Sequence, residues 1–84
     1  MFAIHIVRMH PVQLKLARNA LGLSMMKLSE ETGIATSTIL RFENTGNARL
    51  STAQKLQRFF ETSGIEFIER DGKPGILVGK PASS

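Results

Sequence analysis

Residues 22–44 read GLSMMKLSEETGIATSTILRFEN, and their punctuation decides the fold. Ser24 is a good N-cap, because its oxygen can accept from an amide of the first helical turn. It opens a short helix over Met25–Thr32 with Leu28 as apolar anchor. Gly33 interrupts that helix, Ile34 follows as an apolar plug, and a second helix runs over Thr36–Asn44 with Ile39 and Phe42 on its inner side. Helices of about eight residues are not stable alone, so the pair must pack on each other and on their neighbours. A short turn containing glycine lets the second helix cross the first steeply and project outward.

Toward the N-terminus, Leu14, Ala17 and Leu21 stand at i, i+3 and i+7 and define one apolar helical face, with Lys15 and Asn19 pointing away. His10-Pro11 precedes this helix, proline suiting the first helical position, and Gly22 ends it. Before it, Met1–Met9 alternates, with Phe2, Ile4 and Ile6 on one side, and reads as a strand. Toward the C-terminus, Thr45–Arg49 has turn composition. Ser51 is expected to cap a fourth helix, with Ala53, Leu56 and Phe60 as its stripe and Gly64 as its stop. Ile65–Arg70 alternates as a strand, Asp71–Gly75 reads as a five-residue loop, and Ile76-Leu77-Val78 completes a hairpin. The expectation is a mostly α single domain of four helices with a small β appendage. It divides into an N-terminal strand over 1–10, a helical core over 11–63, a hairpin over 64–80 and a disordered tail over 81–84.

Length and composition bound what such a domain can do. With 84 residues and no cysteine there is no disulfide framework, thiolate zinc site or cysteine nucleophile, and the core is small enough to need tight packing or a partner subunit. No apolar run is long enough to span a membrane, and Met1–Met9 lacks the features of a secretory signal, so a cytoplasmic protein is expected. The net charge of +4 is uneven, with +4 over residues 1–29, −1 over 30–50 and +1 over 51–84. A mild basic balance suits a nucleic-acid partner without specifying one. Catalytic arrangements fail. His5 and His10 are spaced for neither a metal pair nor a general base, Glu30 and Glu31 diverge on successive helical positions, and Gly72-Lys73-Pro74-Gly75 opens no helix. Neither an enzyme nor a cofactor or metal site is expected.

The block Arg18-Asn19-Ala20-Leu21-Gly22-Leu23-Ser24, Leu28, and Gly33 through Glu43 resembles the phage repressor and Cro type of helix-turn-helix regulators, also called the xenobiotic-response-element type. The resemblance covers about residues 12–63, and the hairpin is similar to the tail of small stand-alone bacterial members. It implies a DNA-binding transcriptional regulator, a repressor by expectation, whose helix 36–44 enters the major groove. Carried over by position, Thr36, Ser37, Leu40 and Arg41 are the candidates for base readout, and Ser24, Thr38, Asn44 and Arg49 for phosphate contact. Hydroxyls can donate or accept, a threonine methyl can pack on thymine, and arginine can bind guanine through two hydrogen bonds. The competing reading of Ser37 and Thr38 is that they satisfy free amides in the first turn of their helix. The resemblance also implies an ion pair between Arg18 and Glu43 that orients the recognition helix, against the alternative of two independent surface charges. The sequence departs from the family pattern at Met25, where glutamine is usual, and at Met26-Lys27. Met25 can neither donate to a phosphate nor read a base, so Met25 and Met26 are also candidates for an apolar contact surface.

Three strands, Phe2–Arg8, Ile65–Arg70 and Ile76–Lys80, can make one sheet, the third supplied by the same chain or by a second copy. Exchange between copies makes a homodimer suited to a palindromic operator, with Phe2, Ile4, Ile6, Phe59, Phe67, Ile76 and Val78 as the sheet or dimer residues. Two alternatives stay open. One is the antitoxin of a toxin–antitoxin pair with a toxin or co-regulator as protein partner; the other is a protein-interaction module of this fold without DNA binding.

Overall fold

The structure, a computed structural model, describes residues 9–80. Four helices, α1 (Pro11–Ala20), α2 (Met25–Thr32), α3 (Thr36–Thr45) and α4 (Leu50–Thr62), lead into strands β1 (Ile65–Arg70) and β2 (Lys73–Val78). The expected N-terminal strand with Phe2, Ile4 and Ile6, together with His5 and the tail 81–84, lies outside the described residues.

The apolar positions converge on one core. Leu14 of α1, Leu28 of α2, Ile39 of α3, Leu56 and Phe60 of α4 and Ile65 of β1 are fully buried, so every element but β2 contributes an anchor. Burying such a side chain contributes about 1.5–3 kcal/mol, which is how helices this short persist. Phe60 meets Phe59 and Phe67 edge to face, with ring centroids 5.2 and 6.2 Å apart, and the second contact ties the hairpin to α4. Phe59, Phe67 and Ile76 are partly buried against this core, whereas Val78 is exposed.

Three local expectations need correction. Ser51 does not cap α4. The amide of the buried anchor Ala53 donates to the Arg49 carbonyl at 3.0 Å, which makes Arg49 the N-cap and leaves Ser51 exposed inside the first turn. Helix α3 runs one residue further than expected, to Thr45. The hairpin loop has two residues rather than five, because Asp71 (φ 54°) and Gly72 (φ 76°) both adopt left-handed backbone, the combination a tight hairpin turn requires. Lys73-Pro74-Gly75 therefore belongs to β2, in register with Arg70, Glu69 and Ile68. Pairs in such a ladder alternate from the bonded closing pair Arg70/Lys73. Pro74 falls at a position whose amide would point outward, so its missing N–H costs no ladder bond.

The hairpin is fastened to α1 by Gln13. Its Nε2 donates to the carbonyls of Ile68 and Gly75, both at 2.9 Å, while its Oε1 accepts from the His10 amide at 2.8 Å. His10 Nδ1 accepts from the Val12 amide at 3.2 Å, so His10 and Gln13 together cap α1.

Candidate nucleic-acid interface

Helix α3 buries Ile39, Phe42 and Glu43 and turns the rest of its circumference to solvent. Thr36, Ser37, Leu40, Arg41 and Asn44 are exposed and Thr38 is half-buried. The spacing places Thr36, Leu40 and Asn44 along one stripe, with Ser37 and Arg41 along the next. Among the described residues, none of these side chains makes a hydrogen bond or ion pair, so the amides in the first turn of α3 are not satisfied by the Ser37 or Thr38 hydroxyls. Ala35 is the N-cap and supplies no side-chain bond, leaving the Thr36 and Ser37 amides open at the tip of the helix. Free donors and a helix N-terminus at the same place make a surface disposed toward anions and base edges.

The angle at which α3 projects is held from behind. Arg18 Nε lies 2.7 Å from Glu43 Oε2 and its Nη2 lies 3.2 Å from Oε1, a two-point pairing, while Nη1 donates to the Leu23 carbonyl at 2.9 Å. One guanidinium thus joins the end of α1, the segment before α2, and α3. The Glu43 side chain is 1% exposed and that of Arg18 15% exposed. The hydrogen bond that the guanidinium donates to Glu43 holds its pKa above the ordinary value, against a smaller opposing effect of burial. This pairing also changes the charge that α3 presents. Glu43 is hidden and neutralised from within, so the solvent face of the helix carries Arg41 alone.

The elements beside α3 complete the surface. Ser24 caps α2 by accepting from the Lys27 amide at 3.0 Å, which leaves its hydroxyl proton available at the exposed start of that helix. Arg49 is exposed at the start of α4. Met25 packs partly against the core and Met26 points to solvent. Lys27 lies 3.8 Å from Glu30 and 3.6 Å from Glu31, which lowers the basic potential of α2. An open cleft of about 470 Å³ lies elsewhere, between the start of α1 and the hairpin, bordered by His10, Gln13, Phe67 and Pro74. Among the described residues no group of three or more His, Cys, Asp or Glu is placed to hold a metal ion, and no helix is long and apolar enough to cross a membrane.

Sequence reasoning overlooked Gln13 and Thr32. The capping signal for Gln13 was present, an amide side chain three residues after the residue preceding the helix, but histidine is an unusual N-cap. Thr32 is buried, donates to the Leu28 carbonyl at 2.8 Å and accepts from the Ile34 amide at 3.2 Å, closing the turn between α2 and α3.

Residues 14–67, well over half of the chain, match the family described as Helix-turn-helix. No curated protein matches the chain.

Proposed function

This chain belongs to the helix-turn-helix family of the Cro/C1 type, a non-catalytic DNA-binding domain of transcriptional regulators, and from that premise we propose that it is a sequence-specific repressor acting as a dimer on a palindromic operator. The observation that carries the reading is the outward face of α3, where Thr36, Ser37, Leu40 and Arg41 stand unengaged on a helix held from behind by Arg18 and Glu43. In this reading those four residues meet base edges. Ser24, Thr38, Asn44 and Arg49 meet phosphates on either side and fix the register. Regulation then follows from occupancy of the operator, with the dimer multiplying weak half-site contacts.

A salt-dependent gel shift tests the proposal. Binding to duplex should weaken along a log–log slope of about −0.9 per phosphate neutralised, and a selected palindrome should be bound more tightly than random duplex at every salt concentration. Absence of salt-sensitive binding to any duplex overturns the reading.

A further inference from the structure

Leucine is the odd residue on the outward face of α3. Leu40 is 46% exposed at the middle of that helix, on the same stripe as Thr36 and next to the stripe of Ser37 and Arg41. An exposed leucine on a protein surface is ordinary in itself. Its neighbours here all carry hydrogen-bonding groups, and it stands where the proposed function puts a base pair. The apolar group that base edges offer in the major groove is the C5 methyl of thymine. Over a guanine, adenine or cytosine edge, the isobutyl group would strip water from O6, N7, N6 or N4 and return no hydrogen bond, which is unfavourable. Over thymine it buries a methyl against methyls. The methyl of Thr36, one turn earlier on the same stripe, extends the apolar strip along the groove.

We infer that Leu40, together with the Thr36 methyl, selects a thymine in each half-site by contact with its C5 methyl, while Arg41 supplies the polar readout beside it. The inference rests on the DNA-binding reading above and adds the base that the apolar strip selects.

The test begins with duplexes enriched from a random pool by the full 84-residue chain. Each thymine of the enriched half-site is then replaced by deoxyuridine, which removes the methyl and keeps every hydrogen-bonding group. At fixed salt, one such replacement should weaken binding about fourfold, the scale set by burying a single methyl group. Leu40→Ala, a substitution at an exposed helical position by the best helix former, should shrink the deoxyuridine penalty toward the remainder left by the Thr36 methyl, while keeping its helical circular dichroism. Equal affinity for both duplexes with the unaltered chain overturns the inference and leaves DNA binding standing. So does a deoxyuridine penalty undiminished in Leu40→Ala. Failure to enrich any duplex overturns the DNA-binding reading and the inference with it.

Discussion

Arg18 and Glu43 join α1 to α3 through one ion pair whose carboxylate is buried. The buried carboxylate receives both of its close partners from one guanidinium, so removing that guanidinium leaves a charge inside the protein with nothing to neutralise it. Arg18→Met is therefore expected to lower the stability to urea by about 3–5 kcal/mol, the cost typical of an orphaned buried charge. Arg18→Lys keeps the charge but cannot reach both carboxylate oxygens and the Leu23 carbonyl at once. A loss of about 1–3 kcal/mol is expected. The pH dependence follows from the direction of the arginine shift. A raised pKa gives stability that is complete below the ordinary arginine value and is lost only as pH rises through the still higher folded value. The difference between the unaltered chain and Arg18→Met, as far as it comes from Arg18, should then be the same at neutral and at mildly alkaline pH; a decline with rising pH would contradict this assignment. At the same scale, Arg41→Ala should lower affinity for a selected operator more than for random duplex, and equal losses would reassign Arg41 to a phosphate.

At the scale of the element, the helices were more legible than what joins them. The apolar spacing of Leu14 and Ala17, of Ile39 and Phe42, and of Ala53, Leu56 and Phe60 reports a helix directly, because burial repeats with the helical period. Boundaries depend instead on which carbonyl takes the first bond. That is why Ser51, a good capping residue in isolation, yields to Arg49 once Ala53 is anchored in the core. Pro74 and Gly75 read as turn residues by type, yet the tight Asp71-Gly72 turn leaves them inside β2, and only the pairing register reveals that the proline faces outward. Gln13 was invisible for a related reason. Its partners Ile68 and Gly75 are remote in sequence, and no local pattern announces them. Gln13→Ala removes three hydrogen bonds at once and is expected to cost about 2–3 kcal/mol, with faster hydrogen exchange concentrated in β1 and β2. Exchange that rises evenly over the whole chain would refute the idea that Gln13 acts as the hairpin's fastener. The other end of the hairpin is held by close backbone approach, with the Gly79 amide donating to the Gly64 carbonyl at 2.7 Å. A Cβ on Gly64, which has φ 97°, would lie 2.6 Å from the Gly79 carbonyl oxygen. Gly64→Ala should cost about 2–3 kcal/mol, read from its urea midpoint, since backbone rather than a flexible side chain must move.

For the whole molecule the question is how two copies would meet. The net charge of +4 gives little guidance, because part of the charge near α3 is paired within the chain, Glu43 with Arg18 and Lys27 with Glu30 and Glu31, while Arg41 and Arg49 stay exposed. The residues expected at a dimer face also divide. Among the described ones, Phe59, Phe67 and Ile76 pack against the chain's own core, whereas Val78, 61% exposed, and its neighbour Leu77, 51% exposed, present apolar surface at the end of β2. The alternation that points the Pro74 nitrogen away from β1 points the Ile76 and Val78 amides away from it too, and these amides find no backbone partner among the described residues. An antiparallel two-fold about Leu77 sets Ile76 of one copy against Val78 of the other, pairs these groups reciprocally and stacks leucine on leucine. Pro74 then lies toward the limit of the paired stretch, where its missing donor stops the edge from recruiting further strands. If the proposed dimer uses this edge, Val78→Pro removes an outward donor without touching the β1–β2 ladder. The variant should keep the unaltered chain's circular dichroism and its affinity for an isolated half-site. Its dimer should dissociate at about tenfold lower dilution or more in sedimentation, and affinity for the full palindrome should fall with it. A Val78→Pro protein that dimerises like the unaltered chain would place the interface elsewhere. An unaltered chain that sediments only as monomer at high micromolar concentration, with and without operator, would remove the dimer from the proposal altogether.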